Sequence, residues 1–202
     1  MAKASGNTRI VRPTNKSKEE NREYYLSQIA SGNVDASLSY FSERTGAFML
    51  FMNGHEHSAS HQDTEAELEV GRALADNGIC VTLTPEGDGY EMYATNVKHN
   101  ANGTTTYKYS EGIMSMFTYE QKTPISIQDA AKASVRQAIV HANSKHSQIA
   151  LIYDKYSLFH RQDIEEGMRY YQSKHHAWKE KGAKIVIVVN ARKEVYEHHF
   201  DE

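Results

Sequence analysis

Two short, almost wholly apolar runs, residues 148–153 and 184–189, flank an amphipathic segment at 163–181. A strand apolar on both sides of its pleat is buried on both faces, and such strands belong to sheets covered by helices. The helical segment between them supplies the crossover that parallel strands need. These runs therefore predict an α/β fold, a mixed β-sheet flanked by helices, with right-handed crossovers laying the later helices over the sheet.

The rest of the chain reads in the same terms. Residues 1–15 are small, polar and basic (Lys3, Arg9, Arg12) and predict a flexible arm; 16–202 are read as a single α/β domain. Ser17 with Glu20 is a capping-box pattern that opens a helix, and 31–33 stop it. Residues 36–42 and 47–52 predict a hairpin around 43–46. A second capping pattern, Thr64 with Glu67, opens a helix over 64–77, with Leu68, Gly71, Leu74 and Ala75 on one face. Glu65, Glu67 and Glu69 crowd its first turns, where the helix dipole favours carboxylates. Strands follow at 79–84, 90–97 and 104–109, with a hairpin loop at 100–103. Ser126 with Asp129 opens a helix to about 143, its inward face formed by Ala131, Val135, Ala138, Ile139 and Ala142. Gly182 ends the 163–181 helix, whose Ile164, Met168, Tyr171 and Trp178 read as core, and the polar tail 190–202 has no placement.

The sequence has 23 Lys and Arg against 26 Asp and Glu, a net charge of −3. That balance argues against a non-specific nucleic-acid coat, although carboxylates at a nuclease site would themselves contribute to it. Cys80 is the only cysteine, so neither an internal disulfide nor a Cys-based zinc cage is available. No run is apolar enough to span a bilayer and no signal peptide follows Met1, so a cytoplasmic location without membrane association is expected.

Residues 110–124 read as a strand bounded by Gly112 and Pro124, and carry Glu120-x-Lys122. A side-chain period of two places Glu120 and Lys122 on one face. As a solvated ion pair this is worth little. In a phosphodiesterase the same pair has work to do: the acid holds a divalent metal and the ammonium stabilises charge at phosphorus. His55, His57 and His61 lie in a polar loop. Their spacing matches no metalloprotease helix or Cys/His knuckle, so they predict a loop at a cleft rim, with one imidazole as proton carrier or phosphate contact.

The succession helix, three strands, helix, strand resembles the αβββαβ core of the PD-(D/E)XK nuclease superfamily, and more narrowly the C-terminal nuclease toxin domains of CdiA-type contact-dependent inhibition proteins. The resemblance covers about 64–190. It is carried by Glu67-x-x-x-Gly71-x-x-Leu74-Ala75-x-x-Gly78, the turn Leu83-Thr84-Pro85-Glu86, Glu111-Gly112, Glu120-Gln121-Lys122-Thr123-Pro124, and the Ala- and Gln-containing helix through Gln137. The superfamily usually has Asp where Glu111 stands and commonly Ala where Gly71 stands. An alternative register, Asp88 with Asn96-x-Lys98, substitutes an amide for an anionic ligand.

The resemblance implies a metal-dependent endonuclease of the toxin type, acting on tRNA or DNA and meeting a cognate immunity protein. Glu67, Glu111 and Glu120 would hold Mg²⁺ or Mn²⁺, Lys122 would orient the attacking water, and Gln137 would contact phosphate. Crowding of these acids predicts raised pKa values before metal binds. Two alternatives stand beside it: a metal-independent, barnase-like RNase using His55, His57 or His61 as general base, and a non-catalytic binding module on the same fold.

Overall fold

The computed structural model describes residues 16–55, 61–126, 131–177 and 182–200, apart from the side chains of 61–63. The basic arm, His57, Asp129 and Trp178 lie outside the described residues.

The first helix, α1 (Lys18–Ser31), opens on the expected capping box: the Ser17 hydroxyl accepts from the Glu20 N–H at 3.1 Å, and Glu20 accepts from the Ser17 N–H at 2.7 Å. β1 (Tyr40–Phe41) and β2 (Phe48–Phe51) form the expected hairpin. Gly46 closes it at φ 75°, with α1 so close that a Cβ there would meet the Lys18 backbone at 2.9 Å.

α2 (His61–Asp76) begins one turn before Thr64, so Thr64 lies inside the helix and is not its cap. Gly71, Leu74 and Ala75 of the expected face are buried and Leu68 is half-buried at its margin; Ala66, Val70 and Ala73 widen the buried stripe. β3 (Val81–Leu83) follows. The strand expected over 90–97 is a 3₁₀ turn at Glu91–Tyr93 instead; the Glu91 carboxylate folds back to accept from the Gly89 N–H at 3.2 Å. β4 (Asn96–His99) and β5 (Thr105–Lys108) then form a separate two-stranded ribbon around the expected loop.

Residues 110–124 are not one strand. They fold back at Ser115, in the left-handed region at φ 57°, into β6 (Gly112–Met114) and β7 (Phe117–Lys122). Gly112 lies under β3, where a Cβ would meet the Thr82 carbonyl oxygen at 2.3 Å. α3 (Ala131–Ser144) presents the expected apolar face. β8 (Ile149–Asp154) is buried at every position, and β9 (Ile185–Asn190) at all but its last. Between them α4 (Arg161–Lys174) ends short of Gly182, with the His175 ring stacked on Tyr171 at 4.6 Å. The tail without a placement is β10 (Val195–His199), antiparallel to β9, and Phe200 beyond it is buried against α4.

The sheet runs β1-β2-β3-β6-β7-β8-β9-β10, mixed in direction, with β7, β8 and β9 parallel to one another, as the apolar runs predict for β8 and β9. Side chains alternate across it. Met49, Tyr119, Leu151 and Ile187 pack with α2, while Ala150, Ile152, Val186 and Val188 pack with α3 and α4. Phe48 and Leu50 receive Tyr25 and Ile29 of α1. The result is a mixed sheet between helical layers, and α2-β3-β6-β7-α3-β8 realise the expected order of elements.

Strand lengths create the site. β6 pairs with β7 only through Tyr119, whereas β8 pairs with it through Lys122. From Glu120 onward, the β6 flank of β7 has no strand partner among the described residues, and the sheet opens there.

Candidate metal and phosphate site

Glu67, Glu111, Glu120 and Lys122 line one cavity of about 270 Å³ at this opening, with Gln121, Thr123, His141 and Lys145. Each arrives by its own route. Glu67 projects from α2, Glu111 from the turn before β6, Glu120 and Lys122 from the unpaired stretch of β7, and His141 and Lys145 from the C-terminal end of α3. Gln137 lines a neighbouring cavity of about 410 Å³ that shares Lys122 and His141 as walls. Asp88, Asn96 and Lys98, the alternative register, line neither.

Two groups of side chains face each other here. In the first, buried His55 is held by the Thr84 carbonyl, 2.7 Å from Nδ1, and by the edge of Phe51 at 4.9 Å. A carbonyl only accepts, so Nδ1 carries a proton and Nε2 faces the acids, 3.1 Å from Glu67 and 3.5 Å from Glu111. One ligand atom from each of His55, Glu67 and Glu111 falls within 4.8 Å of the others.

The electrostatics of this group are split. Burial disfavours a charged imidazole, but the Glu111 and Glu67 carboxylates and the Thr84 carbonyl outweigh it and raise His55 to about 10. Burial, with the Glu111 charge beside it, pushes Glu67 up to about 7 although His55 pulls the other way. Burial would raise Glu111 too, but the His55 imidazolium holds it below the usual carboxylate range. The expected rise thus falls on Glu67 and not on Glu111: two close carboxylates settle their repulsion by one taking the proton.

In the second group Glu120, only 3% exposed, accepts through one oxygen from His141 Nε2 at 2.7 Å and Lys145 Nζ at 3.0 Å. Its other oxygen, Oε2, is buried with no hydrogen-bond partner among the described residues, and so is Oε1 of neighbouring Gln121. Leaving a buried polar oxygen unpaired costs about 1–3 kcal/mol. Two in adjacent residues that line one cavity mark a place built to receive something.

Sequence reasoning missed His141 and Lys145. Their spacing of four residues at the end of α3 was the available signal, since it puts both on one face. It did include His55 among the loop histidines, but as a base reaching substrate. A buried ring with both nitrogens engaged does not serve that role, so the barnase-like alternative loses His55. His57 and the His61 side chain lie outside the described residues.

No protein-family model and no curated protein matches the chain in sequence. Among solved structures, the fold is similar to the "CdiA-CT/CdiI toxin and immunity complex from Burkholderia pseudomallei", at 13% identity and a TM-score of 0.49, over 72% of this chain and 90% of that one.

Proposed function

We propose that this cavity is the active site of a divalent-metal-dependent phosphodiesterase that hydrolyses nucleic acid. The observation that carries the reading is the buried Glu120 carboxylate, whose unpaired oxygen shares a cavity with Glu67, Glu111 and Lys122. Structural acids are paired; an acid left half-paired beside other acids suits a cation.

The donor set fits. Glu67, Glu111 and Glu120 offer the oxygens that Mg²⁺ and Mn²⁺ take, and the His55 imidazole weights the set toward Mn²⁺. The Thr84 carbonyl fixes the His55 ring through Nδ1, the usual arrangement for a ligating histidine. The ion, when bound, supplies Lewis-acid activation of the scissile phosphodiester.

The chain's own residues do the rest. Lys122 and Lys145 place two ammonium groups on the cavity wall, where they neutralise charge developing on the phosphoryl oxygens. Glu120 orients His141 through Nε2, leaving Nδ1 for proton exchange with the reacting oxygens. Water adds across the P–O ester bond, leaving a phosphate monoester and a hydroxyl. Gln137, which lines the adjoining cavity, would contact phosphate of the substrate. The toxin class, a cognate immunity protein, action in the cytosol and the choice of tRNA or DNA as substrate rest on the sequence resemblance.

The test is incubation of purified protein with total tRNA and with plasmid DNA in Mg²⁺, Mn²⁺ or EDTA. Cleavage of one substrate with metal and of neither in EDTA is expected. Cleavage that survives EDTA overturns the metal, and no cleavage under any condition overturns the enzyme.

A further inference from the structure

The β4–β5 ribbon has no account in the fold. Two-stranded ribbons standing alone are marginal in water, and this one buries nothing. Val97, Lys98, His99, Thr106, Tyr107 and Lys108 are exposed, and none of its residues belongs to an apolar cluster. It is instead tied down at its root. Thr95 donates to the Lys145 carbonyl, and Asn96 Nδ2 donates to the Ser144 carbonyl at 2.8 Å. Ser110 donates to Thr95 at 3.1 Å and shares a hydrogen bond with Ser147 at 2.6 Å. Lys145 is the residue whose ammonium sits on Glu120. The ribbon therefore rises from the rim of the carboxylate cavity.

Its two faces differ. Asn96 lies opposite Lys108 and Lys98 opposite Thr106, so Lys98 and Lys108 are diagonal neighbours on one face. Val97 lies opposite Tyr107 and His99 opposite Thr105 on the other. From 96 to 108 there are two lysines and no carboxylate, in a chain whose net charge is −3.

We propose that this ribbon is a nucleic-acid-gripping arm, with Lys98 and Lys108 on the phosphates of one strand and Tyr107 as a stacking platform for an unpaired base. The inference rests on the phosphodiesterase reading for its substrate class. Charge complementarity selects the occupant: a protein hot spot wants a large apolar anchor, whereas paired lysines on one face of the ribbon and an exposed aromatic on the other match a single strand whose backbone and bases take opposite sides. Placed at the rim, the arm would present a strand to the cavity without touching the carboxylates.

The experiment is salt-dependent binding of a labelled single-stranded RNA and of its duplex in EDTA, with wild type, K98A/K108A, K98R/K108R and Y107A. Loss of two phosphate contacts should lower the slope of log affinity against log salt by about 1.4 for the single strand. The arginine variant should restore the slope, and Y107A should weaken the single strand at least about fivefold while sparing the duplex. Mn²⁺ affinity measured by calorimetry should be unchanged in all three variants.

Unchanged affinity and slope in K98A/K108A overturn the arm. So does wild type that binds no nucleic acid, or K98A/K108A that loses only a protein partner. Wild type that binds through the ribbon yet cleaves nothing in Mn²⁺ leaves the arm standing and removes the phosphodiesterase reading, so the two failures are distinguishable.

Discussion

Glu67 and Glu69 stand two residues apart on α2 and end in opposite environments. Glu67 is buried against Glu111 and His55, and its pKa is pushed up. Glu69 reaches the other flank of the helix, where the Tyr153 hydroxyl, Lys193 and Lys155 all converge on its Oε2. Burial raises it, but Tyr153, Lys193 and Lys155 together outweigh that and hold it below the ordinary carboxylate value. An acid given cations and a hydroxyl is a clamp between elements, here α2, β8 and the 191–194 turn. An acid given another acid is strained until a cation arrives. Glu120 combines the two: one oxygen holds His141 and Lys145, and the other is buried without a partner among the described residues.

Substitution at Glu120 should separate the two environments most sharply. Glu120→Gln is expected to lower nucleic-acid cleavage at least about 100-fold, by analogy with removal of a group that acts on the transition state. Its melting temperature should change little, because Gln keeps an acceptor for His141 and Lys145 while the charge on the unpaired oxygen is lost. A large fall in stability would place Glu120 with Glu69 as a clamp.

Metal should stabilise through one group and not the other. At a Mn²⁺ concentration of 100 times Kd, binding to the native state alone adds about 2.7 kcal/mol. A thermal-shift titration against EDTA should show that gain in wild type and Glu69→Gln, and lose it in Glu67→Gln and Glu111→Gln. Equal gains in all four would disconnect the metal from the cluster.

Glu69→Gln tests the clamp directly. Weakening the bonds from Tyr153 and Lys193 should cost about 0.5–1.5 kcal/mol in denaturant unfolding, with cleavage within about twofold of wild type. A cleavage defect like that of Glu120→Gln would erase the contrast.

The dependence of stability on pH differs in sign between the two acids. Glu67 is raised from 4.5 to about 7 and His55 from 6.5 to about 10. Each therefore contributes stability fully present below its ordinary value and lost as pH rises through its folded value. Glu69 and Glu111 are lowered, so their contributions are present above 4.5 and lost as pH falls. In EDTA, the melting temperature should decline between pH 4.5 and 7 in wild type, and less so in Glu67→Gln. A decline of equal size in both would assign it elsewhere.

Part of this site was legible in the chain. Glu120-x-Lys122 is a local pattern on one strand, and strand period alone puts both side chains on one face. Glu67 was legible as an acid of α2, but Glu65, Glu67 and Glu69 were equivalent under the helix dipole, which sees only distance from the N-terminus. Which of them turns inward depends on how α2 lies on the sheet, where Ala66 and Val70 join the expected Gly71, Leu74 and Ala75 in the buried stripe. The fold-back at Ser115 was hidden because both arms of the hairpin have strand-like composition; the break is set by β3 and by a left-handed residue, and neither announces itself in a run of apolar letters.

By itself the sequence determined the α/β class, the buried parallel strands, the capping of α1 and the presence of an acid-and-lysine strand, because each depends on neighbours within one or two turns or along one pleat. Only the tertiary structure decided that β6 would stop at Tyr119's partner and leave β7 open, and that His55, Glu67, Glu111, Glu120 and Lys145 would meet there. Those five residues come from five separate places in the chain. Their meeting is a matter of strand lengths and layer packing, which bring distant segments together through burial and leave no periodic trace in the order of residues.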